Sequence, residues 1–554
     1  MNKKFWCSVS IVVLVMCFLA LPFTSWGFIL DDFGFLYHAK TTDITNLFMA
    51  HDIAQTFFPP NFSVSCPSWL AALYRPMQFV YFAFEEMIFG IQPYCFLLFM
   101  VGLHALNSVI IFNVFASVVS CSAAYGATLL FAFHPTIFKD MGILFNQIYL
   151  IDLLYLLLCG LLLWRFMRLG SWWCYVLSCS IFFMQLFAKE TLVVLPLWVV
   201  MVSFVWQVCE RNRTSIADKF KHALLLSCGY WCALVTYFAF RWWVFSSMVT
   251  AQPAESLSTK FIAFLVGQKE RFFVWVTYAC DSFGISFVVA HGKVLKTGLL
   301  VVLISLLLWP FVARKKIIFF VFLVLSMLLF TWPSVLLFHQ FRYLYIGLPF
   351  LMFIVAYATD FYVQKYCWLR VPMSMAFFLA IAVSGTMFAV HQKKKEAVFH
   401  MTTTAFANLV NDTRCENKTI IFAGLPLRWF AAGTAQAVWL LSRGQKNKVY
   451  YDIKTFLVRE YEGSLPWHGY YQDSYNVSVE RVDGGVHIVS HQPEQLFFEK
   501  METENVSLGR RIVNQTNADG LPCAITFVLD QQWLANDIVF VTWDYQQFRF
   551  KVLT

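Results

Sequence analysis

The chain has 554 residues, of which 59% are hydrophobic, 19% aromatic and only 13% charged, and its mean hydropathy is +0.63. Soluble domains carry about 25% charged residues, so these proportions exclude an ordinary soluble enzyme and describe a multi-span membrane protein. The formal charge of +9 needs no nucleic-acid partner, because basic residues at the cytoplasmic ends of helices, with some holding anionic lipid, account for it.

Met1-Asn2-Lys3-Lys4 leads into a charge-free run from Phe5 to Leu30. The run is longer than a signal-peptide core and has no clear small-x-small cleavage site before Asp31, which favours an uncleaved spanning helix over a signal peptide. It reads as an uncleaved spanning helix, with Lys3 and Lys4 inside and Asp31 and Asp32 emerging outside. Adjacent side chains on a helix point about 100° apart, so both acids serve one site only if the helix ends there. Gly34 supplies such an end.

Residues 31–92 form a first outer loop, in which PSWLAALYRPMQFVYFAFEEMIFG suggests a helix lying in the membrane interface. Windows of about 20 apolar residues then mark spans. They lie near 93–117, 121–137, 142–164, 172–188, 191–208, 222–245, 296–313, 317–335, 343–363 and 373–390, which with the first helix makes eleven. Arg165 and Arg168, the cluster around Arg211 and Arg213, Arg314-Lys315-Lys316, and Lys365 with Arg370 then fall on the Lys3 side, as the positive-inside rule requires. Arg75, Lys139, Lys189-Glu190, Arg241, His339 and Arg342 fall together outside, with Asp31 and Asp32.

The 246–295 segment is apolar but cut by Lys269-Glu270-Arg271 and Asp281, so it reads as a second large outer loop with interfacial helices. From His391 the composition becomes that of a soluble domain. Alternating runs such as GGVHIVS and CAITFVL indicate strands. The expected fold is an all-α polytopic membrane protein over 1–391, with a small extracytoplasmic α/β or mainly β domain at 392–554.

The outer-face inventory is chemically specific. Two carboxylates stand at a helix end, and Arg75, Lys189 and Arg342 are cations far apart in sequence. A carboxylate base beside a cationic cradle suits transfer from a lipid phosphate. Arg and Lys stabilise the leaving phosphate, and the carboxylate takes a proton from the incoming hydroxyl. Read singly, each residue has a plainer alternative. Arg75 is also a snorkelling interfacial side chain, Lys189-Glu190 a mutual ion pair, Arg342 a membrane-belt anchor, and His134-Pro135 a structural helix end.

The series of motifs resembles the GT-C superfamily of integral-membrane glycosyltransferases. The likeness is closest to the transmembrane O-mannosyltransferases that carry TPR repeats, and to their bacterial relatives. ILDDF resembles the acidic motif after the first helix, and LYRPMQFVYFAFEEMIFG the Tyr-Arg-Pro segment. LLFAFHPTIFKD resembles the His-Pro motif, LFAKETLVVLPL the Ser-Lys-Glu segment, and FRYLYIGLPF the Arg-Tyr-Leu-Tyr segment. The likeness covers roughly 1–363 in the family's order. Ala188 replaces the usual Ser, the Arg before the Asp-Leu-Leu stretch is replaced by Leu150, and no TPR repeat follows the membrane part. Trp543-Asp544-Tyr545 matches three residues of an oligosaccharyltransferase motif and reads as part of a strand.

The resemblance implies an inverting transfer of a sugar, as in hexosyl- or mannosyltransferases, from a polyprenyl-phosphate-linked donor. The acceptor is a protein or glycan hydroxyl on the extracytoplasmic face of a bacterial inner membrane or the endoplasmic reticulum. Asp32 is the expected base, with Asp31 assisting. Arg75, Lys189 and Arg342 are expected on the donor phosphate, His339 and Tyr345 shape that pocket, and Glu190 and His134 support it. No cofactor is expected, since a divalent ion on Asp31 has no ligand cluster to support it. Rival classes are a lipid or glycolipid flippase, and a GT-C-like protein without catalysis. The sequence has neither the repeated halves nor the mid-span acids, Asp152 apart, that a transporter needs.

Overall fold

A computed structural model describes residues 3–28, 30–41, 75–134, 143–209, 215–245, 305–337, 344–415 and nine strands between 419 and 553. Four helices among them are long and apolar enough to cross a membrane: Pro93–Phe115, Gln147–Leu169, Glu190–Cys209 and Ile216–Arg241. Shorter apolar helical stretches lie at Cys121–Ala132, Trp172–Leu186, Ile317–Thr331 and Cys367–Val383. The protein is thus a mainly helical membrane protein, and four of the eleven expected spans reach full length among the described residues.

Two compact units are present. The first comprises Met1–Thr24, Tyr74–Gln78 and Tyr94–Lys394; the second comprises Ser25–Leu73, Phe79–Pro93 and Lys395–Thr554. In the first unit α1 (Lys3–Leu19) stops well before Asp31, against the expectation of one helix reaching the acids. Pro22 lies just beyond the end and cannot continue a helix. The carbonyl of Pro22 accepts from Lys393 Nζ at 2.9 Å. Lys393 itself lies within a long helix that runs on past His391, where the composition changes.

α2 (Leu30–Thr41) and α3 (Pro76–Phe89) are followed by α4 (Pro93–Phe115), α5 (Cys121–Ala132), α6 (Gln147–Leu169) and α7 (Trp172–Leu186). Next come α8 (Leu195–Cys209), α9 (Ile216–Phe245), α10 (Ile317–Leu337), α11 (Leu348–Lys365) and α12 (Arg370–Val410). Within the first unit α6 packs on α7, α7 and α8 on α9, α5 and α10 on α11, and α1 on α5. Close approach on α5 is made by small residues: Ala124 and Ala127 are fully buried, as is Ala356 of α11. At Gly347, just before α11, an added Cβ would collide with Thr331 Cγ2 of α10 and lie 3.1 Å from the Met327 carbonyl oxygen.

Three contacts in nearly constant register fix the pairing of α1 with α5. Cys7 Sγ lies 3.8 Å from Cys121 Sγ, Ser10 Oγ lies 2.6 Å from the Tyr125 hydroxyl, and the Phe18 and Phe133 rings are 5.8 Å apart. Residue numbers rise together on both helices, so the two run parallel. At the start of α5 the Ser120 N–H donates to Asp360 Oδ1 at 3.1 Å. Asp360 Oδ2 accepts from Gln364 and faces Arg314 at 3.7 Å. The turn before α5, the end of α11 and the Arg314 turn therefore meet.

In the second unit α2 carries Asp31 and Asp32 in its first turn, where the helix dipole favours carboxylates. Gly34 lies inside this helix and ends nothing, which corrects the reading of Gly34 as a terminator. Phe35 packs against Phe79 and Phe82 of α3, and Lys40 Nζ bonds Glu86 Oε1 at 2.6 Å. The strands form two sheets. One has four strands: β2 (Val449–Tyr450), β1 (Thr419–Ala423), β8 (Ile538–Asp544) and β9 (Arg549–Leu553), in that order, with β1 parallel to both neighbours. The other orders β3 (Val477–Val482), β4 (Gly485–Ser490), β7 (Pro522–Leu529), β6 (Gly509–Thr516) and β5 (Asn505–Val506) in antiparallel fashion. Trp543 and Asp544 are in β8, paired with Phe550 and Arg549.

Candidate functional site

Three distant segments converge in the first unit. Arg75 stands immediately before α3, Glu190 opens a 3-10 turn (Glu190–Leu192) between α7 and α8, and Arg241 lies near the end of α9. Arg75 Nε reaches Glu190 Oε2 at 3.4 Å, and Arg241 Nη1 donates to Glu190 Oε1 at 2.9 Å. The same Nη1 lies 3.3 Å from the Tyr237 hydroxyl, one turn earlier on α9. A backbone bond from Met77 N–H to the Phe187 carbonyl at 3.1 Å ties the Tyr-Arg-Pro segment to the end of α7. Glu190 thus pairs with two arginines, and not with its neighbour Lys189 as an isolated ion pair would.

Lys189 follows the end of α7 in extended conformation, with φ −166° and ψ 144°. Its side chain is 4% exposed, and Nζ stands 3.2 Å above the centre of the Tyr149 ring. A desolvated ammonium over an aromatic face is stabilised by about 2 kcal/mol. Gln185 holds the corner: its Nε2 donates to the Lys189 carbonyl at 2.6 Å and to Asp152 Oδ1 at 3.0 Å. Asp152 is fully buried on α6 and lies within electrostatic reach of Lys189 and Arg75. Such a carboxylate is tolerable only because polar donors and cations surround it.

With all groups ionised, Arg75, Arg241 and Lys189 exceed Glu190 and Asp152 by one positive charge. The arginines and Glu190 are the open part, with Arg75 10% and both Arg241 and Glu190 23% exposed, whereas Lys189 and Asp152 lie beneath. A half-open pair of guanidiniums backed by a buried ammonium suits an anion such as a phosphate ester.

His134, just past α5, is buried. Tyr345 is buried too, and its hydroxyl is engaged inside the protein: it lies 2.9 Å from His104 Nδ1 and 3.3 Å from Asn107 Nδ2. His104 Nε2 donates to the Ala132 carbonyl at 3.0 Å, so in a neutral ring Nδ1 accepts the Tyr345 proton. Asp32 is fully buried at the start of α2, in the second unit; of Asp31 the backbone alone is described. His339 and Arg342 lie outside the described residues. No group of three metal-ligating residues occurs among the described residues.

Sequence reasoning gave no site role to Asp152, Gln185, Tyr149, Tyr237 or Arg241. An acid alone in a long apolar run was the available signal for Asp152. Nothing in the local sequence links Arg241 to Glu190.

The chain matches no protein-family model and no curated protein. Among solved structures it is similar to the Archaeoglobus fulgidus oligosaccharyltransferase. The complex with Zn and sulfate aligns at 12% identity and TM-score 0.42, over 79% of this chain and 61% of the other. The form tethered to an acceptor peptide containing the NVT sequon aligns at 11% identity and TM-score 0.42, over 79% and 63%. The complex with an inhibitory peptide and a dolichol-phosphate gives 11% identity and TM-score 0.42, over 80% and 64%. The chain therefore spans less than two thirds of those proteins, at a similarity too low to bear on mechanism.

Proposed function

We propose that this protein is a GT-C-type membrane glycosyltransferase acting on a polyprenyl-phosphate-linked sugar, with a protein or glycan hydroxyl as acceptor. The observation that carries this is the contact between Arg75 and Glu190, 115 positions apart. It joins two segments that resemble separate motifs of that superfamily, and Arg241 and Lys189 complete a cationic group around them. In the proposed reaction the acceptor oxygen bonds to the sugar's anomeric carbon as the bond from that carbon to the phosphate oxygen breaks. The bonding pair leaves on the phosphate, which gains a negative charge that Arg75, Arg241 and Lys189 offset. The acceptor proton passes to Asp32, and displacement from the opposite face inverts the anomeric centre. Arg342 and His339 remain assigned to the donor phosphate on the motif alone.

The test uses the full chain in lipid nanodiscs with a defined polyprenyl-phosphate sugar and a panel of peptide and glycan acceptors. Appearance of free polyprenyl phosphate, lost in Arg75→Ala and Arg241→Ala variants that still fold, supports the proposal. Movement of intact donor between leaflets without cleavage would identify a flippase instead.

A further inference from the structure

The approach to α2 is held by a helix from the far end of the chain. The Ser25 N–H donates to Glu396 Oε1 at 2.9 Å, and the Phe28 N–H donates to Thr403 Oγ1 at 2.8 Å. Thr403 Oγ1 also lies 3.4 Å from the Phe28 carbonyl oxygen, so the hydroxyl engages both polar groups of one residue. Glu396 and Thr403 are seven apart on α12, which puts them on one face two turns apart. Their partners are three apart in an irregular stretch that ends two residues before α2 begins. Aromatic packing continues the attachment. Phe33, in the first turns of α2, lies edge-on to Phe28 at 5.4 Å and to Phe406 at 6.1 Å, and both Phe33 and Phe406 are fully buried. Asp32 stands between these anchors, one residue before Phe33.

We infer that Glu396 and Thr403 are positioning residues for Asp32. The inference rests on the proposed role of Asp32 as the base. Unanchored, residues 25–28 would leave the start of α2 free to shift, because an irregular segment has no ladder of its own to fix it. A base must lie within hydrogen-bond reach of its proton, and a displacement of about 1 Å costs on the order of 10²-fold in rate. The end of α12, which enters the part of the chain with soluble-domain composition, thus belongs to the frame of the proposed base.

The experiment compares the parent full chain with Thr403→Val, Thr403→Ser and Glu396→Gln in nanodiscs. Hydrogen exchange of a peptide covering residues 25–36 is measured beside sugar transfer from a defined polyprenyl-phosphate sugar. Thr403→Val is isosteric but cannot bond, so exchange of the 25–36 peptide should rise. In the same variant kcat should fall about 10- to 100-fold with KM for donor within about twofold. Thr403→Ser keeps the hydroxyl and should restore both readouts. Unchanged exchange in Thr403→Val overturns the clamp itself. Faster exchange with unchanged kcat reduces it to a structural tether and overturns the positioning role. A parent chain that protects this peptide but transfers no sugar from any donor overturns the proposed function, and the positioning role with it.

Discussion

Arg241 donates to Glu190 at 2.9 Å, although the two lie on different elements and 51 positions apart. Arg75 approaches the other oxygen of the same carboxylate, so one anion organises two cations in a partly exposed setting. Neutralising that anion removes the carboxylate that both guanidiniums share. Glu190→Gln should therefore lower stability by about 1–3 kcal/mol, below the usual cost of breaking a fully buried pair because water reaches these groups. Thermal unfolding in detergent, followed by tryptophan fluorescence, checks this. An unchanged midpoint would mean that the pairing contributes nothing to the fold.

The buried layer should behave differently. Asp152 and Lys189 are nearly inaccessible and coupled through Gln185. Asp152→Asn removes a carboxylate from the electrostatic reach of the Lys189 ammonium, and Lys189→Met removes one of the two cations within reach of Asp152. Each single variant should lose folded yield strongly, while the double variant should recover much of it, because an unbalanced buried charge costs about 3–5 kcal/mol and a neutral pair does not. Monodisperse yield after detergent extraction is the measurement. Strictly additive losses would show that the two residues act independently.

Parallel packing of α1 and α5 predicts a cross-link. With Cys7 and Cys121 sulfurs at 3.8 Å, a small helix shift suffices for a bond. Copper-phenanthroline treatment of membranes should protect both thiols from alkylation together and lower the intact mass by two hydrogens. Cys7→Ser should leave Cys121 open to alkylation. Alkylation of both cysteines in the oxidised parent would contradict the register shared with Ser10–Tyr125.

What the sequence made legible follows from range. Helical spans depend on local apolar runs, and the four long helices fall on the expected spans near 93–117, 142–164, 191–208 and 222–245. Arg75, Lys189 and Glu190 stand out because charges at membrane ends are few. Their partners depend on tertiary packing, so Arg241 looked like one more cation at the end of a helix. The charge-free run predicts a first helix longer than α1, because its hydropathy carries no sign of the break that comes near Pro22. The engagement of the Tyr345 hydroxyl by His104 and Asn107, buried in α4, has no local signal, because those residues lie more than 230 positions away.

The central claim is that the Arg75–Glu190–Arg241 group, with Lys189 beneath it, receives a lipid-linked phosphate. The most direct measurement is sugar transfer from a defined polyprenyl-phosphate sugar at varied donor concentration, comparing the parent with Arg75→Lys and Asp32→Asn. Lys keeps the charge but loses the planar fork, so Arg75→Lys should need more than about tenfold higher donor concentration for half-maximal rate. Asp32→Asn should bind donor normally and transfer about 10²- to 10⁴-fold more slowly. Equal donor dependence in Arg75→Lys and the parent, with near-normal transfer by Asp32→Asn, would contradict the account.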